Sequence, residues 1–239
     1  MIKTILFDFG GTLDTNGIHW SEKFWDVYQM FNIHVTKDIY NKAYVYGESY
    51  IKDNIEKDDG LLKTLETQVS FQLKYLVDEG YINRKTLQRT ALEIAYQCFN
   101  DVCQNLKSIT PFLADLKKQY SLGVVSNYNG NIETVLKELT IREFFDVVID
   151  STIENIYKPD PGIFALALHR LETHPEETVV IGDSYDRDIA PAKKLGCKTI
   201  WLKVKSWREF NEESKADYII NTLTDSLQYL NMVSNSNKH

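Results

Sequence analysis

Long apolar runs are missing from these 239 residues: no stretch approaches the roughly 20 needed to cross a bilayer. The opening Met1-Ile2-Lys3-Thr4 leads straight into a strand-like run, unlike a signal peptide. A cytoplasmic protein with no membrane partner is therefore predicted. Cysteine is scarce as well. Cys98, Cys103 and Cys197 are odd in number, and none stands in a CxxC or Cys/His cluster with metal-ligand spacing. They read as reduced, partly buried thiols. An excess of positive charge is also absent, since 27 basic residues face 34 acidic ones for a net charge of −7. That balance argues against a nucleic-acid partner, and any anion must be held locally by a few residues. Neither an internal repeat nor a low-complexity linker interrupts the chain. At 43% hydrophobic it can bury the core of one large domain or of a domain with a sizeable insertion.

What is present is an alternation. Ile2 to Phe9 is a short β-rich apolar run ending in Gly10-Gly11, which reads as a buried strand entering a tight turn. Similar runs follow at Leu122 to Ser126, Val147 to Asp150, Val179 to Gly182 and Lys198 to Leu202, with a weaker one at Tyr218 to Ile220. Helical patterns lie between them: Thr110-Pro111 and Asp160-Pro161 look like helix starts, Leu195-Gly196 like a stop. Strands separated by helices imply a parallel sheet covered on both faces, an α/β, Rossmann-like doubly wound core. From about Ile18 to Leu106 the rhythm breaks. Ser21 to Phe31, Lys37 to Ser49, Leu61 to Glu79 and Lys85 to Gln104 carry apolar residues at helical spacing and could close a small bundle. The expected division is a core of residues 1–15 and 106–231, an inserted helical cap of residues 16–105 over the strand ends, and a frayed tail of residues 232–239.

Ligands of open parallel sheets bind beyond the carboxyl ends of the strands, where the strand order reverses. At those ends stand Asp8, Ser126-Asn127 and Asp183, with Lys158 on the loop after the third strand. Two carboxylates brought together there need a cation between them, and hard oxygen ligands select Mg²⁺.

The ordered set Asp8-Phe9-Gly10-Gly11-Thr12-Leu13-Asp14, Val125-Ser126-Asn127, Lys158-Pro159-Asp160-Pro161 and Gly182-Asp183-Ser184 through Asp188 resembles the four motifs of the haloacid dehalogenase superfamily. The inserted helices resemble its helical, C1-type cap in position and type. The resemblance implies a phosphatase of a small phosphorylated metabolite, a monomer or homodimer, with Asp8 as the nucleophile that forms an aspartyl phosphate. It implies Mg²⁺ held by Asp8, by the backbone carbonyl of Gly10 and by Asp183, with Asp188 supporting directly or through water. Ser126 and Lys158 would bind the transferring phosphoryl group and offset its charge, with Asn127 and the backbone N–H groups around Gly10 and Gly11 completing the cradle.

One position departs from the pattern. Phosphatases of this family usually carry a second aspartate two residues after the nucleophile, as general acid and base, and here Gly10 stands in its place. The expectation is a narrowed substrate range favouring good leaving groups, with a cap residue or Tyr128 as an alternative proton donor. Two other readings compete: a 2-haloacid dehalogenase working without metal, and a phosphometabolite-binding protein on a weakened hydrolase scaffold. Asp188 could be no more than an acid at a helix N-terminus. Thr12 and Asp14 read as turn and hinge groups, the cap aromatics Trp20, Trp25, Tyr28, Tyr44, Tyr46 and Tyr50 as bundle core, and His19 and His34 as structural.

Overall fold

The computed structural model describes residues 1–83, 87–203 and 215–235. Six parallel strands form one sheet: β1 (Thr4–Phe7), β2 (Ser121–Ser126), β3 (Val147–Asp150), β4 (Thr178–Gly182), β5 (Lys198–Leu202) and β6 (Tyr218–Ile220). Their order is β3-β2-β1-β4-β5-β6. β1 lies at the reversal, paired with β2 on one side and β4 on the other. The apolar runs that looked like strands form them because both faces of each are covered. Ile5 and Phe7 join one core cluster and Leu6 the other; Val179 and Ile181 likewise part from Val180. That period of two assigns successive side chains to opposite faces.

Four helices intervene between β1 and β2: α1 (Trp20–Met30), α2 (Lys37–Ile51), α3 (Leu61–Asp78) and α4 (Leu87–Lys117). The helices α5 (Ile132–Glu138), α6 (Ser151–Glu154), α7 (Gly162–Arg170), α8 (Ala190–Leu195) and α9 (Ser226–Asn235) complete the chain. The sequence shows why several begin where they do: Thr36 accepts the Ile39 N–H at the start of α2, and Gly196, with a φ of 96°, ends α8 in the left-handed conformation. Among the described residues no helix is long and apolar enough to cross a membrane.

Two sequence expectations fail locally. Thr110-Pro111 opens no helix: α4 runs through it, with Pro111 inside and the Thr110 hydroxyl donating to the Leu106 carbonyl at 2.7 Å. An interior proline costs about 3 kcal/mol. Here Leu106, Ile109, Leu113 and Leu116 are buried around it, each contributing about 1.5–3 kcal/mol, so apolar packing outweighs the break. Residues 232–235, expected to be frayed, extend α9, and residues 236–239 lie outside the described residues, as do Lys85 and Thr86 at the predicted start of α4.

The inserted helices are fastened to the sheet at both ends. Asn105 of α4 donates to the carbonyls of Leu13 and Asp14, each at 2.9 Å, tying the departing and returning chain together. At the far end, Asn131 donates to the Asp59 carbonyl at 2.8 Å, Thr134 to that of Lys57 at 2.7 Å, and Glu138 of α5 accepts the first N–H of α3. α3 has no capping side chain of its own at Gly60, so the carboxylate from α5 satisfies its N-terminus.

Candidate active site

Asp8 follows β1 and Asp183 follows β4, so the two adjacent strands at the reversal deliver their carboxylates side by side. Asp188 joins them from the turn Tyr185–Ile189, and oxygens of the three acids lie within 4.8 Å of one another. Two glycines make the convergence possible. A Cβ on Gly11, whose φ is +91°, would stand 2.6 Å from Asp183 Oδ2, and one on Gly182 would stand 2.5 Å from Asp188 Cβ.

Lys158 is buried between two of the acids. Its ammonium donates to Asp8 Oδ1 at 2.5 Å, to Asp188 Oδ1 at 2.6 Å and to the Val125 carbonyl at 3.1 Å, which uses all three protons. Asn127 holds it there: its amide accepts the Lys158 N–H at 2.8 Å and donates to the Lys158 carbonyl at 2.9 Å. The Asn127 side chain is thus committed to the lysine loop. Ser126 ends β2 beside this group and is buried, paired in register with Asp150. Thr12 bridges the strand ends. Its hydroxyl accepts the Asp183 N–H at 3.1 Å and lies 3.3 Å from Asp8 Oδ2 and 3.4 Å from Asp183 Oδ1, able to donate to one of them at a time.

The electrostatics are unbalanced. Burial pushes the Asp8 carboxyl above its usual range; Lys158 opposes that shift and Asp188 adds to it. Asp183 is raised well above, through burial and the charges of Asp8 and Asp188. Burial works against the Lys158 charge, but Asp188 and Asp8 win and hold the ammonium more firmly protonated than usual. Three carboxylates around one ammonium, with oxygens this close, make a donor set suited to a hard divalent cation.

A model of the haloacid dehalogenase-like hydrolases matches residues 2–196. The chain belongs to that family. Among its relatives, a glyceraldehyde 3-phosphate phosphatase of Pyrococcus furiosus is 37% identical over 131 residues, 53% of this chain and 54% of that protein. The pyrophosphatase PpaX of Bacillus mycoides is 31% identical over 152 residues, 58% of this chain and 68% of that protein. The chain thus spans only about half the length of the first of these relatives. The fold is shared with YfnB of Bacillus subtilis, a HAD-hydrolase structure bound to magnesium, over 96% of this chain and 99% of that one, at TM-score 0.60 and 20% identity. A dehalogenase superposes at TM-score 0.64 and 17% identity over 95% and 96% of the two chains. Likeness at that identity speaks for the architecture alone.

Around this family site the structure adds Asp150, Glu48 and Arg187, which the sequence did not single out, and gives Asp14, Trp20 and Tyr128 definite partners. Asp14 is buried and accepts the Gly11 N–H and the Trp20 indole N–H, each at 2.7 Å; burial nevertheless lifts its pKa to about 7. Trp20 is thereby held over Gly10, with Cδ1 3.9 Å from where a Cβ would be. Asp150 accepts the N–H groups of Gly130, Ile132 and Thr152 and shapes the loop after β2. Tyr128 packs edge-on against Phe9, with centroids 5.7 Å apart. Burial, then Asp14 and Asp150, raise its phenol well above the usual range, which makes it a poor proton donor near neutrality. Burial raises the Glu48 carboxyl of α2, which Gln68 and Tyr44 hydrogen-bond, and the charge of Arg187, the residue before Asp188, opposes that shift. Neither stands in a recognisable pattern. Arg187 sits inside the fourth motif between two aspartates, and that alternation of charge was the one available signal.

Proposed function

We propose that the protein is a magnesium-dependent phosphohydrolase of a small phosphorylated metabolite, with Asp8 as nucleophile. The observation that carries this reading is the cluster of Asp8, Asp183 and Asp188 at the strand reversal, with Lys158 fixed between two of its members. Asp8, the Gly10 carbonyl and Asp183 would hold Mg²⁺. Asp188, with Oδ1 on Lys158 and Oδ2 accepting the Ser184 N–H at 3.0 Å, supports that group from one side. When bound, the ion neutralises charge on the phosphoryl oxygens and lets an anionic substrate approach an anionic nucleophile.

This chain's residues do the rest. Lys158 keeps Asp8 ionised and aimed and offsets the phosphoryl charge from where it is held, while Ser126 steadies the phosphoryl group in transfer. An Asp8 oxygen forms a bond to phosphorus as the bond to the leaving group breaks, and water then hydrolyses the aspartyl phosphate. The inserted helices act as a cap over the reaction. With Gly10 in place of an acid, substrates that leave without protonation are favoured. The names of the phosphatase and pyrophosphatase relatives support the substrate class.

The test is a panel of phosphorylated metabolites assayed with Mg²⁺ beside an Asp8→Asn variant. Phosphate release that needs the metal and disappears in the variant is expected. Halide release from 2-haloacids in the presence of EDTA would reverse the reading in favour of a dehalogenase. Binding of phosphometabolites with no turnover across the panel would make the protein a binding module.

A further inference from the structure

The carboxylate of Glu48 on α2 has donors but no cation. The Gln68 amide of α3 donates to Oε1 and the Tyr44 hydroxyl to the same carboxylate, yet among the described residues Glu48 enters no ion pair. Two donors leave about half of a carboxylate's acceptor sites open, and the residue is exposed. Contacts one helical turn away on three sides fix where it lies. Tyr44, Glu48 and Lys52 follow at four-residue spacing on one face of α2, and Lys52 keeps helical angles at φ −57° and ψ −37°. Tyr44 brings its ring 6.3 Å from that of His19, which adjoins Trp20 over Gly10. Lys52 gives its ammonium to the Tyr157 hydroxyl at 2.5 Å, one residue before Lys158. Gln68 stands one turn from Thr64, whose hydroxyl accepts the Asn131 amide at 2.8 Å. Trp20 lies on the chain leaving β1, Asn131 on that leaving β2 and Tyr157 on that leaving β3. With contacts to all three around it, Glu48 roofs the strand ends at which Asp8 and Ser126 stand.

Resting on the phosphohydrolase reading, we propose that Glu48 is a specificity-determining residue that takes an ammonium on the leaving half of the substrate, so that the substrates are phosphate monoesters of amino alcohols. The phosphate end belongs at Asp8 and Lys158, so the other end of the molecule meets the carboxylate overhead. An anionic leaving half is repelled there, and an apolar one makes no use of the open acceptor sites. An ammonium brings three donors together with the missing charge, and charge-assisted bonds of this kind are the strong ones. The choice also suits a site with glycine at position 10. As the Asp8 oxygen bonds to phosphorus, the P–O bond to the leaving group breaks and its electron pair stays on the departing oxygen. The substrate's own ammonium offsets that charge, more strongly the shorter the chain between them, and the alkoxide then takes a proton from water. Hydrolysis of the aspartyl phosphate restores the carboxylate. Gln68 and Tyr44 are positioning residues, whose hydrogen bonds favour the charged form of Glu48 against its burial. Gly47 lets α3 come close enough for this, since a Cβ there would stand 2.8 Å from Gln72 Cγ.

The experiment pairs 2-aminoethyl, 3-aminopropyl and 4-aminobutyl phosphate with propyl, butyl and pentyl phosphate, in which a methyl replaces the ammonium, all assayed with Mg²⁺. At the chain length that spans the gap to Glu48, kcat/KM for the amine should exceed that for its alkyl partner about 10-fold or more, the lower end for a charge-assisted bond because the carboxylate is exposed. Glu48→Gln should bring that ratio close to unity. Glu48→Asp should keep part of it and move the best chain length up by one methylene, which a merely structural role would not do. No preference at any length, or a ratio that survives Glu48→Gln, would overturn the proposal. A second readout needs no turnover. In an Asp8→Asn background with Mg²⁺, the best amine should bind more tightly than its alkyl partner, and Glu48→Gln should remove the difference; equal affinities at the outset, or a difference that persists, would also overturn it. If the wild-type protein releases phosphate neither from these esters nor from acetyl phosphate, the phosphohydrolase reading fails on its own, and the binding measurement still decides the role of Glu48.

Discussion

Replacing Gly10 by aspartate tests whether the missing proton donor limits the proposed hydrolysis, and the structure says the replacement fits. The backbone there, at φ −73° and ψ 116°, is open to any L-residue. A Cβ would meet Trp20 Cδ1 at 3.9 Å and Nε1 at 4.0 Å, which is ordinary contact. Because the conformation suits aspartate, the substitution also restricts the unfolded chain, a gain of about 0.4–1 kcal/mol before the repulsion of a further carboxylate near Asp8 is counted. The variant should therefore fold, and a thermal melt close to wild type is the control. General acid catalysis is typically worth about 10² to 10⁴ in rate, or roughly 3 to 5 kcal/mol of barrier. That gain should appear where the leaving group is a poor one. Initial rates with Mg²⁺ on methyl phosphate or glycerol phosphate should rise by about 10² or more in Gly10→Asp, while acetyl phosphate changes little. A folded variant with an unchanged alkyl phosphate rate would refute the reasoning, because protonation would then not be what Gly10 withholds.

Four further outcomes are expected. Lys158→Met leaves Asp8 and Asp188 buried without their cation, and breaking such a pair should cost about 3–5 kcal/mol in urea unfolding; an unmoved midpoint would show the pair to be dispensable. Gly11→Ala forces a Cβ against Asp183 at a positive φ, so the Mg²⁺ concentration giving half-maximal activity should rise at least several-fold. Asp14 ionises near 3.8 in its ordinary state and at about 7 when folded, so between those values the folded state holds the extra proton. Its contribution to the unfolding free energy falls as pH rises through that window, and the slope between pH 5 and 7 should flatten in Asp14→Asn. Burial lifts Cys98 and Cys197 to about 12, so a thiol reagent at pH 8 should modify Cys103 alone in the native protein and all three cysteines in denaturant.

The strands were legible because a parallel sheet buries both faces, which writes short unbroken apolar runs into the sequence; all six stand where such runs occur. The site was legible because those runs end in polar residues, and the sheet fixes which ends are neighbours. Pro111 misled because the rule against interior proline is local, whereas the burial that overrides it comes from tertiary packing. Asn127 shows what only the fold reveals: its side-chain amide is occupied by the Lys158 backbone, which leaves its own backbone N–H as the group that could serve the phosphate cradle. Arg187 and Glu48 left little trace, since neither stands in a run or a spacing that marks a site. Trp20 was read as bundle core, and its ring does pack against that core and Phe24, while its indole N–H is held by Asp14.

The arrangement of charge explains why these pieces belong together. Asp8, Asp183, Asp188 and Glu48 set four carboxylates around the opening, against the two cations Lys158 and Arg187. One divalent ion closes that deficit, and an anionic substrate entering afterwards reopens it with the opposite sign. Lys158, fully occupied and buried, cannot move to meet the new charge. A site that had kept an acid at position 10 could settle the leaving group with a proton. This one has a glycine there, so the site suits a leaving group that departs without a proton.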